Sequence, residues 1–238
     1  MSFPGFPPEA LAFFRGLARN NRREWFQARK ATFEEQVKQP MRDLVERLNV
    51  DLRRFAPEFV TEPDKAVYRI YRDVRFSQDK KPYKEHIAAS FRRRGCANNG
   101  GYYVAVSHKY VEVAGGIYMP SPEELLAIRT TVADRYDDLR RILRAAPLRK
   151  LLGDLRGEQL TRIPKGFACD HPAADLLKFK QFYVYVELPP ELATTPKLYP
   201  DVLQRFKAMR PLVDFLAAAA KPRRKKPVGQ DGILRASW

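Results

Sequence analysis

Apolar positions recur at helical spacing through the first fifty-odd residues and then switch to strict alternation. After Pro7-Pro8 the stretch EALAFFRGLARN places Leu11, Phe14 and Leu17 on one stripe, widened by Phe13, which predicts a first short helix. Asn20-Asn21 breaks it. A second helical stretch from Arg22 turns Trp25, Phe26, Phe33 and Val37 inward. Pro40 opens a third helix, with Leu44, Val45, Leu48 and Leu52 as its apolar face, and Ala56-Pro57 ends it. From residue 66 the period is two, and five strands are predicted at 66–76, 86–93, 102–107, 110–118 and 181–188. Ser107-His108-Lys109 is a turn between the third and fourth.

Ser121-Pro122-Glu123-Glu124 is a helix start, with serine as the cap, proline first and acids in the opening turn. Helical pattern continues to about Leu152, with a break before Pro147. Residues 153–172 read as loop with a short strand at 160–163, and Asp170 or His171 opens a short helix through Leu177. A last helix over 199–220 buries Leu203, Phe206, Val213 and Leu216. The result is one α+β domain over 1–220. It has a mostly antiparallel sheet of about five strands, with helices packed on the aliphatic face.

Alternation sorts the strands onto two unlike faces. One carries Tyr68, Ile70, Val74, Phe76, Ile87, Ala89, Phe91, Tyr102, Val104, Val106, Val111, Val113, Ile117, Phe182, Val184 and Val186. The other carries Arg69, Tyr71, Asp73, Arg75, His86, Ser90, Arg92, Tyr103, Tyr110, Glu112, Tyr118, Tyr183, Tyr185 and Glu187. This second face is either a binding floor, since tyrosine rings take flat ligands and their hydroxyls donate to anions, or a half-wet sheet face held by cross-strand pairs. Arg72 falls on the aliphatic side, where a cation requires a carboxylate partner or a bulge that turns it outward.

Charge then picks out one segment. The chain carries +16 at pH 7, which favours anionic partners. Residues 221–238 carry +5 of it in a proline-broken run, KPRRKKPVGQDGILRASW, that reads as a disordered tail; the body carries the remaining +11. Within the body, YRIYRDVRFSQDKKPYK concentrates cations among aromatics. Arg72, Arg75, Lys81 and Lys84, with Tyr71, form a candidate anion-binding set, because guanidinium offers a planar fork and ammonium a point charge. Asp79 and His86 are its candidate acid–base groups. A second segment, IPKGFACDHPAADLLKFKQF, adds Lys165 and Lys180 as ligand-binding candidates and His171 as an acid–base group or a helix cap. The alternative is that both segments are structural, with internal Arg–Asp pairs.

The excluded classes are broad. Cys96 and Cys169 are too few for a disulfide framework, and histidines at 86, 108 and 171 make no ligand spacing, so neither a metal nor a cofactor is expected. The sequence lacks a phosphate-binding glycine loop, a GxSxG elbow and an HExxH helix. No apolar run approaches a membrane span and the N-terminus does not read as a secretory signal, so a cytoplasmic protein is expected. The strings NNRREWF, YRIYRDVRFSQDKKPYKEHIAASF, GGYYVAVS, GGIYMPSPEEL and IPKGFACDHPAADLLKFKQF resemble the domain of unknown function 2461 family over roughly residues 3–220. That resemblance implies one α+β domain and brings no activity, cofactor or partner with it. Three readings stand from the residues: a site for an anionic or phosphorylated small molecule, catalytic or not; a nucleic-acid-binding protein using the basic surface and tail; and a scaffold in which the basic motif is structural.

Overall fold

The computed structural model describes residues 3–75, 77–93 and 100–219. Phe76, Cys96 and the basic tail, all singled out above, lie outside these residues. Helix α1 (Pro8–Arg19) buries Ala10, Leu11, Phe13, Phe14 and Leu17, the stripe its sequence spells. The second helical stretch is segmented into α2 (Arg23–Gln27), α3 (Lys30–Phe33) and a π-helical turn (Glu34–Lys38) that runs into α4 (Gln39–Phe55). Pro40 has no N–H to donate into the preceding turn and its ring needs room there. A widened turn directly upstream supplies that room. Phe13, Phe14, Trp25, Phe26 and Phe33 interlock ring to ring at 5.4–6.2 Å.

Four strands form one antiparallel sheet in the order β1 (His86–Arg92), β2 (Gly100–Ser107), β3 (Val111–Ile117), β4 (Phe182–Leu188). Ser107 makes the expected β2–β3 turn, its Oγ accepting from the amides of Lys109 and Tyr110. After the short α5 (Pro63–Ala66), residues 67–75 do not form the fifth strand predicted over 66–76. They run beside the chain leading into β1, touching it through isolated bridges at Val67–Ala89 and Tyr71–Tyr83. Two features interrupt the ladder. Pro82 lacks a donor, and Asp73 and Asp79 accept from the amides of Arg75 and Lys81, so side chains compete for backbone groups that a strand would use. A bend at Ile70 also breaks the alternation. Ile70 is buried, while Tyr68 turns to the opposite face from the one its parity assigns.

Helix α6 (Pro122–Asp134) starts on a capping box, with Ser121 Oγ accepting from Glu124 N and Glu124 accepting from Ser121 N. Helices α7 (Tyr136–Arg144), α8 (Ala146–Leu152) and α9 (Ala174–Leu177) follow. The strand expected at 160–163 is reduced to a bridge between Gln159 and Phe179. The last helix, α10 (Leu198–Ala219), crosses β2 and β3. Phe206 stacks on Tyr102 at 4.8 Å and meets Phe91 edge-on at 5.5 Å. Phe206, Val213 and Leu216 are buried as expected, while Leu203 is half-buried. No described helix is long and apolar enough to cross a membrane.

The sheet depends on Gly116. It holds φ at +126°, and a Cβ there would sit 2.3 Å from the Phe182 carbonyl oxygen on β4. Gly116→Ala therefore adds backbone strain and pushes two strands apart. The expected loss is about 3 kcal/mol in urea denaturation; a loss below about 0.5 kcal/mol would show that the strand pair yields freely.

Candidate functional site

The basic segment is held together largely by its own charges. Arg72 pairs with Asp79 at 2.7 Å and reaches the Lys81 carbonyl at 3.3 Å. Arg75 grips Asp73 through two bonds of 3.0 and 2.7 Å, and this fork holds the Asp73 carboxyl down at about 2. Asp79 is also held below the usual carboxylate range, first by the Lys81 amide and then by Arg72. Both its oxygens are occupied, and a carboxylate so stabilised is a weak base. Lys81 lies 3.4 Å from Glu85. Tyr71 is exposed, edge-on to Phe26 at 6.2 Å. The base of the segment is firm: Tyr83 stacks on Phe26 at 4.3 Å, and the Asn21 amide pairs with both its N–H (3.1 Å) and its C=O (2.9 Å).

The second segment flanks the opposite edge. The second segment pairs Arg156 with Tyr183 of β4 and folds Gln159 back onto Phe179 just before that strand, whereas Val67 bridges Ala89 of β1 and Tyr71 the chain leading into it. Three inter-strand spacings put those edge strands about 14 Å apart. The structure therefore does not gather Lys165, His171 and Lys180 around Arg72, Arg75, Asp79 and Lys81. His171 caps the turn into α9, its Nδ1 accepting from Ala173 N at 3.0 Å, with Tyr136 edge-on at 6.0 Å. Lys180 pairs with Glu158 at 3.1 Å, and Lys165 is exposed. Arg140 pins the segment through the Pro172 carbonyl and Asp175.

Between the two segments lies the tyrosine face, and it is concave. A cavity of about 480 Å³ is floored by small residues, Ser90, Gly101, Ala114 and Gly116, and walled by Tyr68, Tyr103, Tyr118, Met119, Tyr183 and Tyr185. Register explains the shape. Arg92, Gly101, Gly116 and Tyr183 form one cross-strand row, and Ser90, Tyr103, Ala114 and Tyr185 the next, so rings rise around a glycine–alanine centre. Tyr183 meets Tyr118 edge-on at 5.2 Å and lies tilted on Tyr185 at 6.0 Å; Tyr68 faces Tyr103 at 6.3 Å.

The trough has two electrically distinct ends. At one, Arg92 donates to the Tyr68 hydroxyl at 2.8 Å, and the Lys84 ammonium lies 5.3 Å from the Tyr68 ring. Burial lowers the Lys84 pKa, and the nearby Arg69 adds to the shift against the opposing influence of Tyr68. Lys84 is thus a cation held where its charge is disfavoured. Toward the other end stands Glu112, directly across from Glu187 on β4. Burial first, and Glu187 second, push the Glu112 carboxyl up. The Tyr103 hydroxyl is pushed up by its burial and then by Glu112. His86 shares this face, half-buried, its pKa lowered by burial and then by Lys84. Among the described residues no group of three His, Cys, Asp or Glu could hold a metal ion.

A family model described as a conserved hypothetical protein (DUF2461) matches residues 9–215, which include every residue of the trough. The chain belongs to the DUF2461 family. No curated protein matches it. Within this DUF2461 domain, the trough residues Arg92, Glu112, Tyr118, Tyr183 and Tyr185 were not among those picked by local cation density. Alternation had placed all five on the open face, and the small residues at 114–116 were the missed sign of a floor.

Two outcomes follow from these environments. Arg72→Ala breaks a pair whose side chains are 29% and 51% exposed, so it should cost about 0.5 kcal/mol in thermal or urea unfolding; an unfolded variant would make the motif a structural anchor. Glu112 behaves oppositely. A carboxyl whose folded pKa is raised destabilises the fold above that value, and the penalty fades as pH falls toward the ordinary 4.5. Glu112→Gln should therefore be more stable than wild type by about 0.5 kcal/mol at pH 8. The gain should vanish by about pH 4, as followed by melting across pH.

Proposed function

We propose that the tyrosine trough binds a small organic anion, with its flat part against Tyr183 and Tyr185 and its anionic group at Arg92, Lys84 and the Tyr68 hydroxyl. The observation that carries this reading is the convergence of five tyrosine rings, from β2, β4 and the segments beside β1 and β3, around one small-floored cavity. Its volume is that of a small-molecule site, and aromatic walls with a few fixed polar groups are the usual make-up of one. The cations support an anionic group. Lys84 has no carboxylate against it among the described residues, and Arg92 is oriented by Tyr68 instead of by an acid. In the loop, by contrast, Arg72 and Arg75 already have carboxylate partners. Exposed, unpaired Cys169 fits a reducing, cytoplasmic setting.

A second reading has one observation in its favour. Tyrosine rings on the open face of a four-stranded antiparallel sheet, in a chain of +16, also suit stacking of single-stranded nucleic acid. Calorimetric titration with 4-ethylphenyl phosphate separates the two. The small-ligand reading expects a Kd below about 1 mM, weakened about tenfold by Arg92→Ala or Tyr183→Ala and unchanged by Arg75→Ala. No binding in the millimolar range, or loss with Arg75→Ala alone, overturns it. Oligouridine that binds instead, with affinity falling steeply with salt and through Tyr183, supports the second.

A further inference from the structure

The trough contains a carboxyl that the binding of an anion leaves unexplained. Glu112 is half-buried on β3, faces Tyr103 across the β2–β3 pair's open side, and lines the cavity. Among the described residues it has no hydrogen-bond donor and no cation paired with it. Its cross-strand neighbour is a second acid, Glu187, and like charges directly opposite destabilise a sheet. Arg156 lies over the Tyr185 ring at 5.8 Å and is in no ion pair with either acid. The fold thus keeps a carboxyl group at one end of an aromatic-walled cavity, in a chain with a large excess of cations elsewhere. Tyrosine faces and a carboxylate together are the environment that stabilises an organic ammonium group.

We infer that the ligand is zwitterionic, with its anionic group at Arg92 and Lys84 and an ammonium group at Glu112, caged by Tyr103, Tyr183 and Tyr185. This rests on the binding role proposed for the trough and names the chemistry of its second end. The spacing sets the ligand's length. Arg92 and Glu112 are two strands and four residues apart in register, about 16 Å between Cα atoms by strand geometry. Two long side chains leaning inward reduce that gap to the length of a phenyl ring carrying a phosphate at one end and an aminoethyl group at the other. Glu187 keeps the site acidic: with two carboxyls opposite each other, an incoming cation relieves their repulsion as it binds. A neutral or purely anionic ligand of the same shape gains nothing at this end.

The test compares O-phosphotyramine with 4-ethylphenyl phosphate, which differ only in the ammonium, and with tyramine, which lacks the phosphate. Titrations of the full chain and of Glu112→Gln are read at one pH near 7.5, with melting confirming that the variant folds. O-phosphotyramine should bind wild type about tenfold tighter than 4-ethylphenyl phosphate. Glu112→Gln should erase that preference while binding 4-ethylphenyl phosphate at least as well as wild type does. Equal affinity for the two phosphates, or a preference that survives Glu112→Gln, overturns the zwitterion and leaves the anion site standing. Tyramine bound through Glu112 with 4-ethylphenyl phosphate unbound keeps the ammonium end and removes the anionic one. Binding of none of the three overturns both.

Discussion

The seating of α10 across β2 and β3 governs the rest of the molecule. Tyr102 and Phe206 stack there, and Met209 lies so close to Gly115 that a Cβ at that position would meet its sulfur at 2.2 Å. The helix can approach this closely only because β3 carries no side chain at 115. Strand parity gives the same stretch a second effect. Gly115 faces the helix, while Ala114 and Gly116 face the other way and leave the open side of the sheet hollow. One requirement, a thin place in β3, both docks the main helix and shapes the trough.

Electrostatics separates what holds the protein from what it can offer a ligand. Arg72, Arg75 and Lys81 of the basic loop sit in solvent-accessible pairs with Asp79, Asp73 and Glu85, which contribute little to stability and are already satisfied. Among the described residues, two charges without an opposite partner stand at the open face: Lys84 just before β1, with burial and Arg69 acting against its charge, and Glu112 on β3 against Glu187. Such arrangements reduce stability, and their concentration around one cavity is the pattern of a site kept at the expense of the fold.

The helices and the two-faced sheet were legible because each rests on local periodicity. Leu11, Phe14 and Leu17 repeat at helical spacing, and the Ser121 capping box is complete within four residues. The irregular segment at 66–76 was not legible. Its sequence alternates, but Pro82 and Asp79 lie outside it, and the bond that Asp73 takes from the Arg75 amide leaves no mark on the periodicity. The trough was not legible for a related reason. Cation density is a property of neighbouring residues, whereas Tyr68, Arg92, Tyr103, Glu112, Tyr118 and Tyr183 meet only through strand register across more than a hundred residues.

The Asn21 amide reads the main chain of Tyr83 as a neighbouring strand would, donating to its carbonyl and accepting from its amide. This clasp closes a loop of some sixty residues, fastening the aromatic N-terminal layer to the chain just before β1. Residue 83 is in turn bridged to residue 71, three positions from Tyr68. The first twenty-odd residues are therefore remote determinants of the trough's wall. A shortened protein that keeps all four strands and α10 would still retain the floor of the cavity while releasing one of its sides.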